Sequence, residues 1–288
     1  NKSRSIKLKK SRHPVVEQLL EAGNNFVSND IALNCKNNQL AIITGPNMSG
    51  KSTFLRQIGL ISILAQIGSY VPAKKANLSI IDQLFTRVGA SDNLSGGEST
   101  FLVEMNEAAN ILNNATQNSL IILDEIGRGT STFDGLSLAW SIVEYIHNNK
   151  KIKAKTLFAT HYHELINLAE ELPDAFNLNI HVREENDNIY FIRKIKHGGA
   201  SKSYGINVAQ MAGIPSYVLN RAKELLKIFT SDNKNIKLNV EKDKIDIKQV
   251  ELFNLKDEIV DEIKNINIDN FTPIEALNIL SKIKKKLK

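Results

Sequence analysis

The sequence predicts an α/β fold in which a mostly parallel sheet is flanked by helices. Three short apolar runs have the length of buried strands, and each of them ends in glycine or polar residues. Segments with helical spacing of their apolar residues separate these runs. Since parallel strands need a long crossover between them, strands that alternate with helices are typical of α/β proteins. The three runs are residues 40–44, 120–123 and 156–159.

The other elements follow from equally local patterns. Residues 5–9 alternate apolar and basic side chains, as a half-buried strand does. Two runs, 179–183 and 189–195, flank the polar segment 184–188 and predict an antiparallel hairpin. Helices are predicted from Thr53 to Gly68, from Phe101 onwards, over 136–146, over 208–211, over 217–229, over 253–263 and over 274–287.

The composition is that of a globular protein. The 288 residues are 42% hydrophobic and 24% charged, which allows one large or two ordinary domains. The single cysteine, Cys35, excludes a disulfide framework and is typical of a reducing cytosol, so we interpret it as an apolar filler. No apolar run approaches the roughly 20 residues that span a bilayer. We therefore expect a cytoplasmic protein without membrane contact.

The net charge of +6 is concentrated at one end of the chain. The first twelve residues contain six basic side chains and no acidic one, and the other residues balance at zero. A basic surface is the usual mark of nucleic-acid binding. Because the basicity belongs to one segment, it is weak support for DNA contact by the folded body.

Residues 45–52 fit a complete phosphate-binding loop pattern: a glycine, four residues, then Gly-Lys-Ser. A predicted strand precedes the loop and a predicted helix follows it, so that backbone N–H groups and the helix N-terminus can face phosphate oxygens. Lys51 places a positive charge on the β- and γ-phosphates, and Ser52 offers a hydroxyl to Mg²⁺. A tight glycine turn is the structural alternative. The candidate nucleotide-binding residues are Gly45, Pro46, Asn47, Met48, Ser49, Gly50, Lys51, Ser52 and Thr53.

Two adjacent carboxylates, Asp124 and Glu125, close the second apolar run. An aspartate at the end of a buried strand beside such a loop can hold Mg²⁺. The neighbouring carboxylate can reach the attacking water as a general base. We therefore predict Ser52 and Asp124 as metal-binding residues and Glu125 as catalytic; a helix cap or a solvated loop is the alternative.

A glycine-serine turn, residues 94–100, precedes the helix predicted from Phe101. Such a turn presents hydroxyls and helix N–H groups to an anion. Since the phosphate-binding loop already serves the nucleotide of its own subunit, this turn points to a nucleotide on a partner subunit. An ordinary helix N-cap is the alternative.

Several long motifs resemble, in order along the chain, the ATPase region of the MutS family of DNA mismatch-repair proteins. The resemblance implies an ABC-type P-loop NTPase with a mostly parallel sheet flanked by helices, followed by a helix-turn-helix and a small all-α tail module. It covers residues 12–229 strongly and 250–288 weakly. The motifs are residues 12–17, 99–105, 124–132, 159–162, 200–205 and 271–277.

The resemblance also implies ATP or ADP with Mg²⁺, bound between the P-loop of one subunit and the serine turn of the other. In the family register Ser99 is the serine that acts in trans, and Ser95 remains a lesser candidate. Thr130 and Asp134 match the loop that crosses between the two sites. His161 matches a histidine near the γ-phosphate, so the implied catalytic residues are Lys51, Ser99, Glu125 and His161.

Two aromatic positions of the family bear on the adenine ring. Phe26 matches the ring that stacks on adenine. Near Arg193 the family often has a second stacking ring, and here the guanidinium can stack or point to solvent. Asn47 matches the asparagine that the family places near the γ-phosphate.

The implied organisation is a basic N-terminal segment (1–12), an ATPase domain (13–229) ending in the helix-turn-helix (about 204–229), a linker (230–249) and a helical oligomerisation module (250–288). The implied assembly is a homodimer, or a tetramer through residues 250–288. The implied partners are MutL and mismatched double-stranded DNA, the latter bound through domains absent from this chain. The resemblance thus implies a nucleoid-associated ATPase that couples ATP hydrolysis to mismatch recognition and to sliding-clamp formation.

Two other interpretations are weaker. A nucleotide-dependent dimerisation domain with little or no turnover does not need the water-activating Glu125. Structural-maintenance and recombination ATPases insert a long coiled coil between the P-loop and the signature serine, whereas the segment from Lys51 to Ser95 is short and has no sustained heptads.

Overall fold

Two β-sheets organise the part of the chain that the computed structural model describes, residues 4–89, 99–185, 188–200 and 202–232. Nine strands lie in these residues: β1 (Ser5–Ser11), β2 (Asn29–Asn34), β3 (Leu40–Thr44), β4 (Lys75–Leu78), β5 (Leu84–Val88), β6 (Leu120–Asp124), β7 (Lys155–Ala159), β8 (Ala175–Glu185) and β9 (Asn188–His197). The α-helices in the same residues are α1 (Lys51–Gln66), α2 (Thr100–Asn114), α3 (Thr132–Asn148), α4 (Leu168–Glu171), α5 (Gly205–Met211) and α6 (Ser216–Asp232). Two 3-10 helices span Val16–Leu19 and His163–Asn167.

The larger sheet is mixed and mostly parallel, which confirms the predicted fold class at the level of its architecture. Its strand order is β5-β6-β7-β3-β8-β9, and only β9 runs antiparallel to its neighbour. The three apolar runs of the sequence are the adjacent strands β6, β7 and β3, and every residue of these strands is buried. The residues that follow these strands therefore meet at one edge of the sheet.

Two apolar layers cover the faces of this sheet. On β3 the side chains alternate, so that Leu40 and Ile42 join one layer while Ala41 and Ile43 join the other. The first layer contains residues of α2, α3 and α4, and the second contains residues of α1, β1 and β2. Burial on both faces explains why these strands are continuously apolar instead of alternating.

The second sheet has three antiparallel strands in the order β2-β1-β4. Strand β1 contains most of the basic N-terminal segment, and its Ile6 and Leu8 side chains are completely buried. The described part of that segment is therefore an integral strand of this fold. Of the three strands, the sequence predicts only β1.

Several element boundaries differ from the predicted ones. Helix α1 begins at Lys51 instead of Thr53, directly after Gly50, whose φ of 105° ends the preceding loop. Helix α3 begins at Thr132 because the Ser131 side chain accepts a hydrogen bond from the Asp134 amide. Helix α6 continues to Asp232, into the segment predicted as a linker.

The chain divides into two units at Phe229–Thr230, and nearly all the described residues belong to the first unit. Residues 1–3, Ser95, most of the predicted linker and the predicted tail module lie outside the described residues. In the described part of the chain, no helix is both long and apolar enough to span a membrane.

Candidate nucleotide-binding site

The loop between β3 and α1 has a strained backbone. Gly45, Met48 and Gly50 have φ angles of 145°, 65° and 105°. Positive φ is costly for a residue with a side chain, so Met48, which is 76% exposed, is held there by the loop and not by its own packing. Backbone strain of this kind concentrates at ligand sites, because the rest of the structure must impose it.

The side chain of Lys51 turns back into this loop. Its ammonium group donates hydrogen bonds to the carbonyl oxygens of Gly45, at 2.8 Å, and Pro46, at 3.2 Å. It also lies 3.6 Å from Glu125 Oε1. Burial lowers the pKa of Lys51, and the carboxylates of Glu125 and Asp124 partly offset that effect. An anion in the loop would compete with the two carbonyls for this cation.

Asp124, the last residue of β6, has an oxygen without a partner. The residue is 8% exposed, and its Oδ1 atom is buried without a hydrogen bond. Burial raises the pKa of Asp124, and a hydrogen bond from the Ser52 hydroxyl acts in the opposite direction. A buried carboxylate oxygen without a partner is costly, and a carboxylate next to a hydroxyl suits a hard divalent cation. Ser52 and Asp124 therefore fit Mg²⁺.

No group of three or more His, Cys, Asp or Glu residues among the described residues could hold a metal ion by itself. A cation at Asp124 would thus take its other ligands from water or from a phosphate. This is the usual manner of Mg²⁺ in phosphate sites, which keeps several waters and uses one or two carboxylates.

Glu125 is held in position on both its backbone and its side chain. Its φ is 55°, and its amide donates to the Ala159 carbonyl at 2.9 Å, which joins the ends of β6 and β7. Its Oε2 atom accepts a hydrogen bond from Arg128 at 2.9 Å. The carboxylate therefore stands between Lys51 and Arg128 at the carboxyl edge of the sheet.

His161 follows β7 at the same edge. Its ring lies over that of the buried Tyr162, with centroids 4.0 Å apart. Desolvation lowers the pKa of His161, Glu125 acts to raise it, and Arg128 and Lys51 act to lower it. The lowered pKa favours the neutral ring, which presents one N–H and one unprotonated nitrogen.

A first cavity, which we call the apolar cavity, opens on one side of the loop and has a volume of about 260 Å³. Phe26 and Arg193 both line it, although they are far apart in sequence. Asn29 connects the two segments, since its side chain donates to the Arg193 carbonyl at 3.0 Å and accepts from the Ile195 amide at 2.8 Å. The lining also includes Val16, Leu20, Asn25, Val27, Met48, Gly50, Thr53, Phe54, Gln57 and Ile180.

A second cavity of about 310 Å³, the polar cavity, opens on the other side of the loop. Tyr204 lines it, and burial together with a hydrogen bond to Glu184 raises the pKa of Tyr204 to about 12. Lys202 also lines it and lies 3.2 Å from Glu184. The other lining residues are Gly45, Pro46, Asn47, His161, His163, Ser203, Gly205 and Val208.

The residues predicted to act on a partner's nucleotide lie at or near the starts of α2 and α3. Ser99 is the N-cap of α2, and its exposed side chain makes no capping hydrogen bond. Asp134 accepts a hydrogen bond from the Ser131 hydroxyl at 2.8 Å, as part of the cap of α3. Thr130 is half-buried, and Ser95 lies outside the described residues.

Sequence reasoning missed a buried group behind the site. Glu104 of α2 is 4% exposed and contacts both Arg87 and the amide of Gly127. A signal was available, because Glu104 shares the spacing of the buried residues Ala108 and Ile111 and so falls on the apolar face of its helix. No local sequence pattern predicted that the segments of Phe26 and Arg193 would meet at one cavity.

The fold and the site together define an α/β protein whose candidate ligand site lies at the carboxyl edge of a mostly parallel sheet. The family model described as MutS domain V matches residues 41–230, and the chain belongs to this family. The resemblance inferred from the motifs is thereby confirmed.

The chain is similar to proteins named DNA mismatch repair protein MutS from several bacteria. It is 53% identical over 288 residues to that of Caldicellulosiruptor bescii, which covers 98% of this chain and 33% of the relative. It is 50% identical over 290 residues to that of Bacteroides thetaiotaomicron, covering 97% and 34%. It is 54% identical over 283 residues to that of Finegoldia magna, covering 96% and 32%. The chain thus spans about a third of the length of these relatives.

Proposed function

We propose that this chain is the ATP-binding and ATP-hydrolysing dimerisation module of a MutS-type DNA mismatch-repair protein. The observation that carries the proposal is the convergence of Lys51, the unpartnered oxygen of Asp124, and Glu125 at one edge of the sheet. A cation, a metal-binding carboxylate and a second carboxylate are the groups that phosphoryl transfer to water requires.

Lys51 has two sets of partners in this proposal. Its ammonium group donates hydrogen bonds to the carbonyls of Gly45 and Pro46 and lies near Glu125. The β- and γ-phosphates replace these partners when ATP binds. Glu125 then loses its contact with Lys51, and its carboxylate can orient the attacking water and accept a proton from it.

Ser52 and Asp124 hold Mg²⁺, which neutralises charge on the phosphate oxygens when it is bound. Desolvation lowers the pKa of His161 and so favours its neutral form, which can donate one hydrogen bond to the γ-phosphate without adding a charge. Asn47 lines the same polar cavity as His161, in agreement with a role at the γ-phosphate.

The two cavities orient the nucleotide. The apolar cavity receives the adenine ring, with Phe26 on one face and the Arg193 guanidinium on the other. The polar cavity receives the γ-phosphate end and borders the surface toward a partner subunit. The nucleotide residues are Gly45 to Thr53, as the sequence predicts.

The dimer places Ser99 of one subunit on the nucleotide of the other, with Thr130 and Asp134 in the loop that crosses between the sites. Exposed apolar side chains support an interface on these elements: Leu102 is 51% exposed on α2, and Phe133 is 64% exposed on α3. Helices α5 and α6 form the helix-turn-helix that completes the dimer, and residues 250–288 extend it to a tetramer.

In the full-length protein, this ABC-type module couples ATP hydrolysis to recognition of mismatched double-stranded DNA and to sliding-clamp formation. The relatives are about three times as long as this chain, which leaves room for the domains that bind DNA. MutL is the downstream partner, and the whole acts at the nucleoid in the cytoplasm.

The test is ATP hydrolysis per subunit, measured against protein concentration. A composite site predicts a specific activity that rises with concentration, whereas a self-contained site predicts a constant one. Hydrolysis that stays absent at every concentration while ATP binds would support the alternative, a dimerisation domain without turnover.

A mixing experiment makes the same test sharper. Ser99→Ala and Lys51→Ala chains are each expected to be inactive, and an equal mixture should regain about a quarter of the wild-type activity. Half of the dimers are then mixed, and each mixed dimer has one complete site. Ser137→Ala, an exposed serine on α3, is the matched control and should remain active alone. A mixture that stays inactive, although heterodimers form, contradicts action in trans.

A further inference from the structure

A buried carboxylate, that of Glu104, lies between helix α2 and the loop that follows β6. Its Oε1 atom accepts a hydrogen bond from the Gly127 amide at 2.5 Å. Its Oε2 atom accepts one from Arg87, a buried residue of β5, at 3.3 Å. A buried charge is tolerated when it has both an opposite charge and hydrogen bonds. In Glu104, one oxygen has the neutral amide of Gly127 as its partner and the other has the positive charge of Arg87.

Gly127 belongs to a loop that has little room to move. Its φ is 89°, and a Cβ atom on Gly127 would lie 2.5 Å from the carbonyl oxygen of Gly135 in α3. The Tyr162 hydroxyl donates to the Gly127 carbonyl at 3.0 Å, so buried side chains bind both the N–H and the C=O of this residue. Since Glu125 is only two residues away, a shift of Gly127 also moves the backbone that carries the Glu125 carboxylate.

The other end of the connection is the start of α2. Glu104 follows the N-cap Ser99 by five residues, slightly more than one helical turn. A second contact joins the same elements, because a Cβ atom on Gly129 would lie 3.1 Å from the Cβ atom of Phe101 in the first turn of α2. A displacement of Ser99 therefore reaches the loop of Glu125 through packed and hydrogen-bonded groups.

We propose that Glu104 is a positioning residue that makes the Ser99 end of α2 and the Glu125–Gly127 loop move as one body. The proposal rests on the composite site of the proposed function, in which a subunit's Ser99 contacts the partner's nucleotide while its Glu125 acts on its own. Glu104 thus connects the occupancy of one site to the hydrolytic geometry of the other. It acts through Gly127 and does not contact the nucleotide.

The matched variants are Glu104→Gln and Glu107→Gln. Glu107 lies on the same helix, and its Oε2 atom is 3.1 Å from Nε of the same Arg87, but its side chain is 45% exposed. An amide at position 104 keeps the size of the side chain but replaces one acceptor oxygen with an NH₂ donor, which cannot accept from the group that faces it, whether Gly127 or Arg87. Both variants remove a negative charge near Arg87, but only Glu104→Gln also changes the group that contacts Gly127. A difference between the two variants therefore reports on the contact with Gly127.

The experiment places each variant separately in the two chains of the mixed dimer. In the mixture of Ser99→Ala and Lys51→Ala chains, the complete site has the P-loop of the first and Ser99 of the second. Glu104→Gln in the Ser99→Ala chain can affect the complete site only through the Glu125 of that chain. Glu104→Gln in the Lys51→Ala chain can affect it only through the Ser99 of that chain. We expect either placement to slow single-turnover hydrolysis about ten- to a hundredfold, with the Kd for ADP unchanged.

Glu107→Gln should leave the rate unchanged in both placements. A loss from Glu104→Gln in only one placement, no loss, or an equal loss from Glu107→Gln would overturn the proposal. If Glu104→Gln does not fold, as thermal melting will show, Glu104→Asp takes its place. The shorter carboxylate keeps its charge near Arg87 but does not reach Gly127, so the same loss is expected.

A second readout does not depend on hydrolysis. In the nitrogen-15-labelled nucleotide-free chain, Glu104→Gln should shift the amide resonance of Gly127, and Glu107→Gln should not. If the mixture of Ser99→Ala and Lys51→Ala chains is inactive, the proposed function fails, whatever this resonance does. A Gly127 resonance that does not move overturns the role of Glu104 even when the mixture is active.

Discussion

The two cavities beside the Gly45–Gly50 loop differ in what they can contribute. The apolar cavity is lined by Phe26 and by aliphatic side chains from several segments, together with Arg193 and the uncharged polar side chains of Asn25, Asn29, Thr53 and Gln57. The polar cavity is lined by His161, Lys202 and Tyr204. Among the described residues the two cavities share no lining residue, so a change on one side does not directly alter the other.

In the proposed function, the two cavities divide the labour within one nucleotide site. An apolar cavity removes a flat ring from water and contributes to binding equally before and during reaction. Charged and polar groups beside the phosphates contribute where charge changes during the reaction. We therefore expect variants on the apolar side to change affinity, and variants at the sheet edge beside the polar cavity to change turnover.

The largest effect is expected from Glu125→Gln. Because Glu125 is the carboxylate beside Asp124 and Lys51, its loss should slow ATP hydrolysis by about 10²–10⁴, the range for a removed general base. The variant should still bind ATP with an unchanged Kd, and the nucleotide-bound dimer should accumulate. Single-turnover hydrolysis and nucleotide titration measure the two quantities. Glu164→Gln, an exposed carboxylate close to His163, is the control, and normal hydrolysis by Glu125→Gln contradicts the assignment.

Phe26→Ala should weaken ATP binding about tenfold without changing the rate at which bound ATP is hydrolysed. Stacking of a base on an aromatic ring contributes about 1–3 kcal/mol. The comparison ligand is inorganic tripolyphosphate, which has no base and should bind wild-type and variant chains equally well. A loss of tripolyphosphate affinity would mean that the variant has disturbed the loop itself, and an unchanged ATP affinity would remove Phe26 from the adenine site.

Asp124→Asn, which removes a proposed Mg²⁺ ligand, should stabilise the nucleotide-free chain by about 1 kcal/mol at pH 7. Burial raises the pKa of Asp124 in the folded chain, so the folded chain binds its proton more tightly than the unfolded chain does. The ionised group therefore lowers stability at pH 7, and this penalty disappears as the pH falls through the raised pKa.

Thermal unfolding at neutral and acidic pH measures this effect. The advantage of Asp124→Asn should be largest at pH 7 and should shrink toward acidic pH. A variant that melts below the wild-type chain at pH 7 would show that Asp124 stabilises the fold instead of weakening it.

The smallest effect is expected from Arg193→Lys. A guanidinium over an aromatic base contributes about 0.5–1 kcal/mol at an exposed site, so ATP affinity should fall about two- to fivefold. Lysine keeps the charge but not the planar group. Equal affinities for ATP in the two chains would mean that the arginine side chain points to solvent.

Patterns that are local in sequence predicted much of the larger sheet. Strands β3, β6 and β7 are buried on both faces, so each is a continuous apolar run that can be seen without knowledge of its neighbours. The polar residues at their ends, such as Lys51, Asp124 and His161, follow from those runs. The hairpin of β8 and β9 could also be predicted, because its two strands are adjacent along the chain.

What could not be predicted depends on contacts between distant segments. Strand β4 is four residues long and mostly exposed, and it exists because β1, about seventy residues earlier, offers it a partner. Glu104 reads as one more charged residue of a helix until Arg87 and Gly127 are placed around it. Phe26 and Arg193 line one cavity because Asn29 of β2 binds the Arg193 carbonyl of β9.

The central position of β3 has a consequence during synthesis on the ribosome. Both of its partners, β7 and β8, come later in the chain, and Leu40 pairs with Thr156, about 116 residues further on. At 5–20 residues per second, β3 remains without a neighbour for roughly 6 to 23 seconds after it is made. The Gly45–Gly50 loop therefore lacks the strands beside β3 until residue 156 has been translated, and the apolar β3 is exposed to other chains in the interval.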